Sequence, residues 1–202
     1  MLLLALSLNQ QVFLNIELTD EAIEQGKQIR FEYYRYGTDK KLHKTRAHHT
    51  SPYQLILHNQ RYYLMSQNDW WKNVAYYRLD RMKNMTITEK PVTPITEIEG
   101  YKDGINYKEL STSLPYMFSD RPVWTEFTTD EDLADQIIDW FGKDIRIDGY
   151  GDKQIKVTMK VSPSAMEHWA LQYAGYVTVT SPRYLAESIK SRLQKAVEKY
   201  NV

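Results

Sequence analysis

The residues best suited to binding chemistry lie between positions 61 and 81. Six aromatic residues are interleaved there with four cations: Tyr62, Tyr63, Trp70, Trp71, Tyr76 and Tyr77, with Arg61, Lys72, Arg78 and Arg81. Aromatic faces can stack on bases while guanidinium groups pair with phosphates, as in many proteins that bind single strands. Two structural alternatives stay open. The tyrosines are equally suited to the core of a β-rich domain, and Asp80 could hold one flanking arginine in an ion pair.

Motifs for catalysis are absent from the sequence. The chain has no cysteine, which excludes disulfides, thiolate zinc sites and a Cys nucleophile. It has no glycine-rich phosphate loop and no Gly-x-Ser-x-Gly elbow. A zinc site from His43, His58 and a carboxylate is a minor alternative, and His48 and His49 cannot chelate one ion because adjacent strand residues point to opposite faces. We therefore expect a protein that is not an enzyme, with no catalytic residue, metal or cofactor.

Charge is distributed unevenly along the 202 residues, although their net charge is zero. Residues 40–90 contain ten Lys and Arg against three acids, whereas residues 121–139 contain one Arg against six acids. The acids at 130–139 suit a helix start better than catalysis. The asymmetry predicts two modules, with an anionic partner for the basic one. The longest strongly apolar run, Leu2–Leu6, is too short to span a membrane, so we expect a cytoplasmic protein without a membrane partner.

Periodicity predicts a short helix and about five short strands in the first module, residues 1–90. Thr19 is the expected cap of the helix and Gly26 its end. The five predicted strands are 28–35, 53–58, 61–66, 73–78 and 82–88. A further polar strand through 41–49 is an open alternative, with a break at Ser51-Pro52 and a hairpin turn at Asn59-Gln60. This succession favours a small, strongly bent sheet or barrel.

The rest of the chain is predicted as a linker and a second module. Residues 91–121 contain three Pro and two Gly without a sustained period, which is typical of a linker. Residues 122–202 follow the order β-α-β-β-α-β-α, which is typical of a ferredoxin-like unit with one added helix. The expected helix starts are Thr129, Ser162-Pro163 and Ser181-Pro182, and the expected ends are Gly142 and Gly175.

Several of these segments resemble a known family. Residues 20–90 resemble the WYL domain, whose Trp-Tyr-Leu signature reads Tyr62-Tyr63-Leu64 here. The other matching pieces, in order, are Ala22-Ile23, Ile29-x-Phe31-x-Tyr33, Ser51-Pro52-Tyr53-x-Leu55 and Tyr77–Met82. Residues 116–200 resemble the C-terminal extension called WCX, through Met117-Phe118, Phe141-Gly142, Trp169 to Gly175, Ser181-Pro182 and Tyr200.

The resemblance implies an α+β fold, with an Sm-like, SH3-type small β-barrel followed by the ferredoxin-like unit. WYL proteins are mostly bacterial transcription regulators. They carry a winged helix-turn-helix ahead of the barrel, and the barrel is thought to sense a ligand, often nucleic acid or a nucleotide. Only 18 residues precede Thr19, too few for such a head. We therefore expect either a piece of a longer regulator or a natural sensor without a helix-turn-helix of its own.

By position, the resemblance implies a ligand pocket made of seven residues: Tyr33, His48, Ser51, Tyr53, Tyr63, Arg78 and Arg81. Related regulators often have Arg where this chain has His48, which would make ligand affinity more dependent on pH. The expected protein is the effector-sensing part of a regulator, with an anionic ligand such as single-stranded nucleic acid or a nucleotide. It would act as a homodimer on DNA through an attached helix-turn-helix segment. The alternative is a stand-alone module that binds single-stranded DNA or RNA.

Overall fold

A computed structural model divides the chain into two compact units, Met1–Gly104 and Ile105–Val202. The structure describes residues 2–69, 73–107, 110 and 116–200, with side chains from residue 10 onward. Trp70, Trp71 and Lys72, which belong to the aromatic and basic stretch, lie outside the described residues. Within the described part of the chain, no helix is both long and apolar enough to cross a membrane.

The first unit is built on one antiparallel sheet. Its elements are helix α1 (Leu2–Glu24), strands β1 (Lys27–Tyr36), β2 (Leu42–His58), β3 (Arg61–Asn68), β4 (Val74–Arg78) and β5 (Met82–Pro91), and 3-10 helices at Leu79–Arg81 and Ile95–Glu97. The strand order is β4-β3-β2-β1-β5. The sheet is open, because β4 and β5 are its two edges and no pairing joins them among the described residues. The expectation of a closed barrel is therefore wrong: the five-residue β4 ends where the chain turns at Leu79–Arg81.

Helix α1 is longer than the sequence predicted. It runs unbroken from Leu2 to Glu24, so Thr19 lies inside it and does not cap it. The Thr19 hydroxyl donates a hydrogen bond of 2.6 Å to the carbonyl of Asn15, four residues earlier. Threonine can satisfy its hydroxyl in this way within a helix, and the predicted start at Thr19 overlooked that option. Gly26, with φ of +62°, follows the end of the helix as expected.

Strand β2 continues through the position where a break was predicted. Its pairing with β1 ends at Thr50. The missing N–H of Pro52 therefore costs no hydrogen bond to β1. The pairing with β3 continues through Pro52, with a register shift before Gln54. The hairpin turn is confirmed at Asn59-Gln60, where φ is +47° and +59°; two positive values are what a tight two-residue hairpin requires.

The core of the first unit lies between α1 and one face of the sheet. Its buried members are Ala22, Ile29, Phe31, Tyr33, Leu64, Tyr77, Leu79, Met82 and Met85. Within β1, Ile29, Phe31 and Tyr33 are buried at alternate positions, as predicted from the pattern. Two tyrosines of the predicted binding set, Tyr33 and Tyr77, are thus in the core, where they place hydroxyl groups among apolar side chains.

The second unit combines a second antiparallel sheet with helices. Its elements are strands β6 (Val123–Asp130), β7 (Arg146–Gly149), β8 (Gln154–Val161) and β9 (Thr178–Ser181), helices α2 (Ala134–Phe141), α3 (Pro163–Gln172) and α4 (Arg183–Glu198), and a 3-10 helix at Glu131–Leu133. The strand order is β7-β8-β6-β9, and every pairing is antiparallel. Two antiparallel sheets combined with helices confirm the mixed fold that was predicted.

The predicted helix starts in the second unit meet different outcomes. Ser162 caps α3 as expected, and its hydroxyl accepts a 3.0 Å hydrogen bond from the Ala165 amide. Thr129 caps nothing, because it is buried inside β6 and the chain passes through a 3-10 helix before α2. Ser181 also remains in a strand, paired with Glu126. Gly142 closes α2 as predicted, whereas α3 ends at Gln172, before Gly175.

The core of the second unit is almost wholly apolar. Trp169 of α3 lies at its centre and contacts the rings of Phe127, Phe141 and Tyr173 at centroid distances of 4.9–5.2 Å. Burying such large aromatic surfaces is the main source of stability available to a domain of this size.

Candidate ligand-binding site

Four aromatic rings form a compact cluster on the inner face of the first sheet. The His48 ring lies 5.3 Å from Phe31 and 4.7 Å from Tyr77, measured between centroids. The Tyr33 ring packs edge-on against Tyr77 at 5.2 Å. All four rings are less than a tenth exposed. The cluster follows from the alternation of β1 and β2, which sends Phe31, Tyr33 and His48 to the same face.

Polar contacts surround Nδ1 of the His48 ring. The Asn68 side chain donates a 2.8 Å hydrogen bond to the Tyr77 hydroxyl. His48 Nδ1 lies 3.1 Å from that hydroxyl and 3.4 Å from Asn68 Oδ1, so it can accept from the hydroxyl when unprotonated and donate to Oδ1 when protonated. Burial lowers the pKa of His48, the hydrogen bond with Asn68 opposes this shift, and the charges of Arg46 and Arg35 add to the lowering.

Two arginines that were not assigned to the site lie near this cluster. Arg46 pairs with Tyr33 across the β1–β2 ladder, and both Arg35 and Arg46 have exposed side chains. Their charges act on the Tyr77 hydroxyl as well: burial raises its pKa, whereas Asn68 and the two arginines lower it. Strand alternation alone could have identified Arg46, since it lies two residues before His48 and therefore on the same face.

A second group of charges lies on residues 78–81, which we call the arginine turn. Arg78 donates two hydrogen bonds to Asp80, from Nε at 3.0 Å and from Nη2 at 2.7 Å. Arg61 Nη1 lies 3.6 Å from the same carboxylate. Burial alone would raise the pKa of Asp80, but these cations and Arg81 lower it overall. The predicted ion pair is thus present, and Arg78 is the arginine that forms it.

Arg81 is the cation of the turn that keeps a donor available. Its Nε is buried and has no hydrogen-bond partner within the described part of the chain. Its guanidinium carbon lies 5.9 Å from the centroid of the Tyr36 ring. A buried donor without an acceptor is unfavourable and uncommon in folded proteins. An oxyanion that approaches Arg81 would supply the missing acceptor.

Tyr33 connects the aromatic cluster to the arginine turn. Its ring belongs to the cluster, and its hydroxyl accepts a 3.3 Å hydrogen bond from the backbone amide of Arg78. Tyr63 pairs with Arg78 across the β3–β4 ladder and is half-buried. Four predicted site residues are therefore connected through Tyr33: Tyr33 itself, His48, Tyr63 and Arg78. Arg81 directly precedes Met82, which pairs with Tyr33 across the β1–β5 ladder.

Ser51 and Tyr53 belong to a different place in the first unit. The Ser51 hydroxyl accepts hydrogen bonds from Gln28 at 3.2 Å and from the Thr93 amide at 2.9 Å. The Tyr53 hydroxyl donates to the Thr93 carbonyl at 2.8 Å, and burial raises its pKa to about 12. Ser51 is three residues from His48 on β2, and Gln28 is three residues from Phe31 on β1, or about 10 Å along each strand. These two predicted site residues thus anchor the chain after β5, away from the cluster.

The described residues offer no arrangement for a metal ion. None of the described His, Asp and Glu residues form a group of three or more that could hold one. His43 instead forms a 2.9 Å ion pair with Asp39, and His58 lies 3.1 Å from its neighbour Asn59. His48 is buried while His49 is exposed, as the opposite faces of a strand require.

Comparisons with known proteins agree with the division into two units. The WYL domain matches residues 15–87 and the WCX domain matches residues 121–197. None of the curated proteins matches the chain.

Two solved structures are similar to the chain. A CRISPR Cas-related protein has a TM-score of 0.55 at 16% identity, over 94% of this chain and 53% of that one, and so shares its fold. Proteasome accessory factor B/C (PafBC) of Arthrobacter aurescens has a TM-score of 0.38 at 15% identity, over 95% of this chain and 28% of that one. The chain thus spans about half or less of either relative. The two domain matches establish that it belongs to the WYL-domain family, with a WCX domain following the WYL domain.

Proposed function

We propose that this chain is the effector-sensing part of a bacterial WYL-family transcription regulator. Its first unit binds an anionic ligand, single-stranded nucleic acid or a nucleotide, and so controls an attached helix-turn-helix DNA-binding segment. The observation that carries the proposal is Arg81, whose buried Nε has no hydrogen-bond partner among the described residues and which lies in the turn that donates to the Tyr33 hydroxyl.

The charges around Tyr33 favour an anion over a neutral ligand. Arg78 is already neutralised by Asp80, which leaves Arg81 as the cation of the turn best placed to pair with a phosphate. Arg35 and Arg46 contribute positive potential from the neighbouring strands. A charge-assisted hydrogen bond between a guanidinium and a phosphate is about twice as strong as a neutral one.

His48 makes this binding sensitive to pH. Its lowered pKa keeps the ring neutral at neutral pH. An anion bound nearby offsets the repulsion from Arg35 and Arg46 and so favours the protonated ring. Ligand affinity therefore rises as the pH falls toward the pKa of the unliganded His48 and levels off below it.

The remaining parts of the proposal rest on family membership. The regulator acts in the cytoplasm as a homodimer, and it is a binding protein, not an enzyme. The first sheet is an open relative of the Sm-like barrel. The β7-β8-β6-β9 order of the second sheet supports a ferredoxin-like unit.

Fluorescence anisotropy of short, labelled single-stranded DNA and RNA tests the proposal. The oligonucleotides are titrated with the whole chain at low and moderate salt, with duplex DNA as the control. We expect binding that prefers single strands and weakens steeply with salt, because phosphate contacts release counterions. If single strands do not bind more tightly than about 10⁻⁴ M, the weak limit of non-specific association, and no nucleotide stabilises the fold in a thermal-shift screen, the proposal is wrong.

A further inference from the structure

A buried asparagine of α1 holds both ends of the 3-10 helix that forms most of the arginine turn. The Asn15 side chain is fully buried, and its Nδ2 donates to the carbonyls of Leu79 at 2.9 Å and Met82 at 3.0 Å. The Leu79 carbonyl also accepts the Met82 amide that closes the 3-10 helix. The Asn15 side chain is therefore hydrogen-bonded to the backbone on both sides of Asp80 and Arg81.

The orientation of the Asn15 amide is determined by its surroundings. Two carbonyl oxygens face Nδ2, so the NH₂ group must point toward the turn. On the other side, Gln11 Nε2 donates to Asn15 Oδ1 at 3.0 Å. Each of these contacts satisfies a polar group that would otherwise be buried at a cost.

Helix formation alone gives no reason for an asparagine at this position. Asn is a poorer helix former than Leu or Ala, and a buried amide is unfavourable unless it is hydrogen-bonded. Here the two acceptors of its NH₂ group are not in the helix but in residues 64 and 67 positions away. Asn15 therefore fixes the position of α1 relative to the arginine turn.

We infer that Asn15 is a positioning residue that couples ligand occupancy at Arg81 to helix α1, an inference that rests on the proposed function. When Arg81 moves to meet an anion, the turn either carries α1 with it or breaks two buried hydrogen bonds. α1 exposes the apolar residues Phe13 and Leu14 beside Asn15, at 66% and 48%. Movement of α1 changes how this surface is presented to whatever segment it contacts.

Hydrogen exchange of the whole chain, with and without a short oligodeoxythymidine, tests the coupling. The variant is Asn15→Leu, which removes both donors at similar size. The matched control is Thr19→Val, another buried polar residue of α1, whose hydroxyl contacts Asn15 O and Met85 Sδ but not the turn. If Asn15→Leu does not fold, Asn15→Ala replaces it.

The coupling predicts that the oligonucleotide slows exchange in α1 of the wild type and of Thr19→Val. In Asn15→Leu, the oligonucleotide should still bind and slow exchange in the arginine turn, but exchange in α1 should not change. Without oligonucleotide, the Met82 amide of Asn15→Leu should exchange about tenfold faster than in the control, since local opening becomes easier. A response of α1 that persists in Asn15→Leu, or that Thr19→Val also loses, would overturn the inference.

The two proposals fail in distinguishable ways. If the wild type binds the oligonucleotide and α1 does not respond, the coupling is wrong while the ligand site stands. If the wild type does not bind it, oligonucleotide sensing is wrong. The exchange of Met82 without ligand then decides whether Asn15 positions the turn, and equal rates in Asn15→Leu and Thr19→Val would show that it does not.

Discussion

The two units of this chain bury different kinds of residue. Among the described residues, the second unit has an apolar core around Trp169, with four buried polar residues: Thr125, Thr129, Ser162 and Glu167. The first unit has a smaller apolar cluster and more buried polar residues, namely Asn15, Thr19, Gln28, His48, Thr50, Ser51, Ser66, Gln67 and Asn68.

The difference extends to hydrogen bonds that are not made. Buried polar atoms that have no hydrogen-bond partner among the described residues include Gln28 Oε1, Thr50 Oγ1, Ser66 Oγ and Arg81 Nε in the first unit, against Thr129 Oγ1 and Trp169 Nε1 in the second. Each such atom reduces stability, and a fold retains them more readily where a site needs them. The first unit therefore retains more buried polar groups at a cost in stability, as the proposed ligand site would require, whereas the second unit buries mainly apolar side chains.

The largest expected effect tests the apolar core. Trp169→Ala should reduce the free energy of unfolding by about 3–5 kcal/mol, because it leaves a large cavity among packed rings. Urea unfolding followed by circular dichroism measures the change. Trp124→Ala is the control, since that side chain is 68% exposed, and its effect should stay within about 0.5 kcal/mol. Equal losses would show that Trp169 is not central to stability.

A smaller loss is expected from a helix cap in the same unit. Ser162→Ala removes the acceptor of the Ala165 amide and should destabilise the protein by about 1 kcal/mol. Its hydroxyl also donates to Asp120 at 2.6 Å. Ser181→Ala makes the same chemical change at a serine that caps no helix and should have a smaller effect in the same unfolding assay. The reverse ranking would refute the assignment of the cap.

A threonine-to-valine substitution should change the free energy of unfolding in opposite directions in the two units. Thr50 and Thr125 are both fully buried in strands. The Thr125 hydroxyl donates to the Val123 carbonyl at 3.3 Å, whereas the Thr50 hydroxyl has no hydrogen-bond partner within the part of the chain that the structure describes. Thr125→Val should cost about 1 kcal/mol, whereas Thr50→Val should be neutral or stabilising by up to about 1 kcal/mol. Urea midpoints of the two variants test this directly. A clear loss in Thr50→Val would indicate that its hydroxyl is satisfied.

The smallest expected effect is a dependence of stability on pH. The folded state lowers the pKa of His48 below its ordinary value of 6.5, so the unfolded chain binds a proton more readily. Stability therefore falls as the pH drops from 6.5 toward the lower folded pKa. His48→Gln should flatten this part of the profile of urea midpoint against pH. The lowered pKa of Asp80 makes stability fall with pH in a separate range, below pH 3.8. Identical profiles of the wild type and His48→Gln between pH 5 and 7 would contradict the lowered pKa of His48.

The regular elements could be read from the sequence because local signals agreed there. The alternation in β1 and β8 and the Ser162-Pro163 start of α3 each have one interpretation, and each is confirmed. Thr19 and Pro52 each have two interpretations. Threonine can cap a helix or form a hydrogen bond to the carbonyl four residues earlier within it. Proline can end a strand, or lie within it wherever its N–H is not needed. Only tertiary context decided between them.

For the same reason, the sequence indicated only part of the geometry around the proposed site. Asp80 was recognised as a competitor for an arginine, but its bidentate bond to Arg78 required the turn itself. Alternation could have added Arg46 to the site. Asn15 and Asn68 could not be found, because their partners are distant in sequence and no local pattern marks a buried amide.

The central claim is that Arg81 is the anion-pairing group of the first unit. The most direct test compares Arg81→Gln with Arg30→Gln in the anisotropy assay with single-stranded DNA. Both variants lose one positive charge, but the exposed Arg30 lies on the face of β1 opposite Phe31 and Tyr33. We predict that Arg81→Gln weakens binding about 10- to 100-fold, as expected for a lost charge-assisted hydrogen bond, and that Arg30→Gln weakens it less than about threefold. Equal weakening by both variants, or none by Arg81→Gln, would contradict the claim.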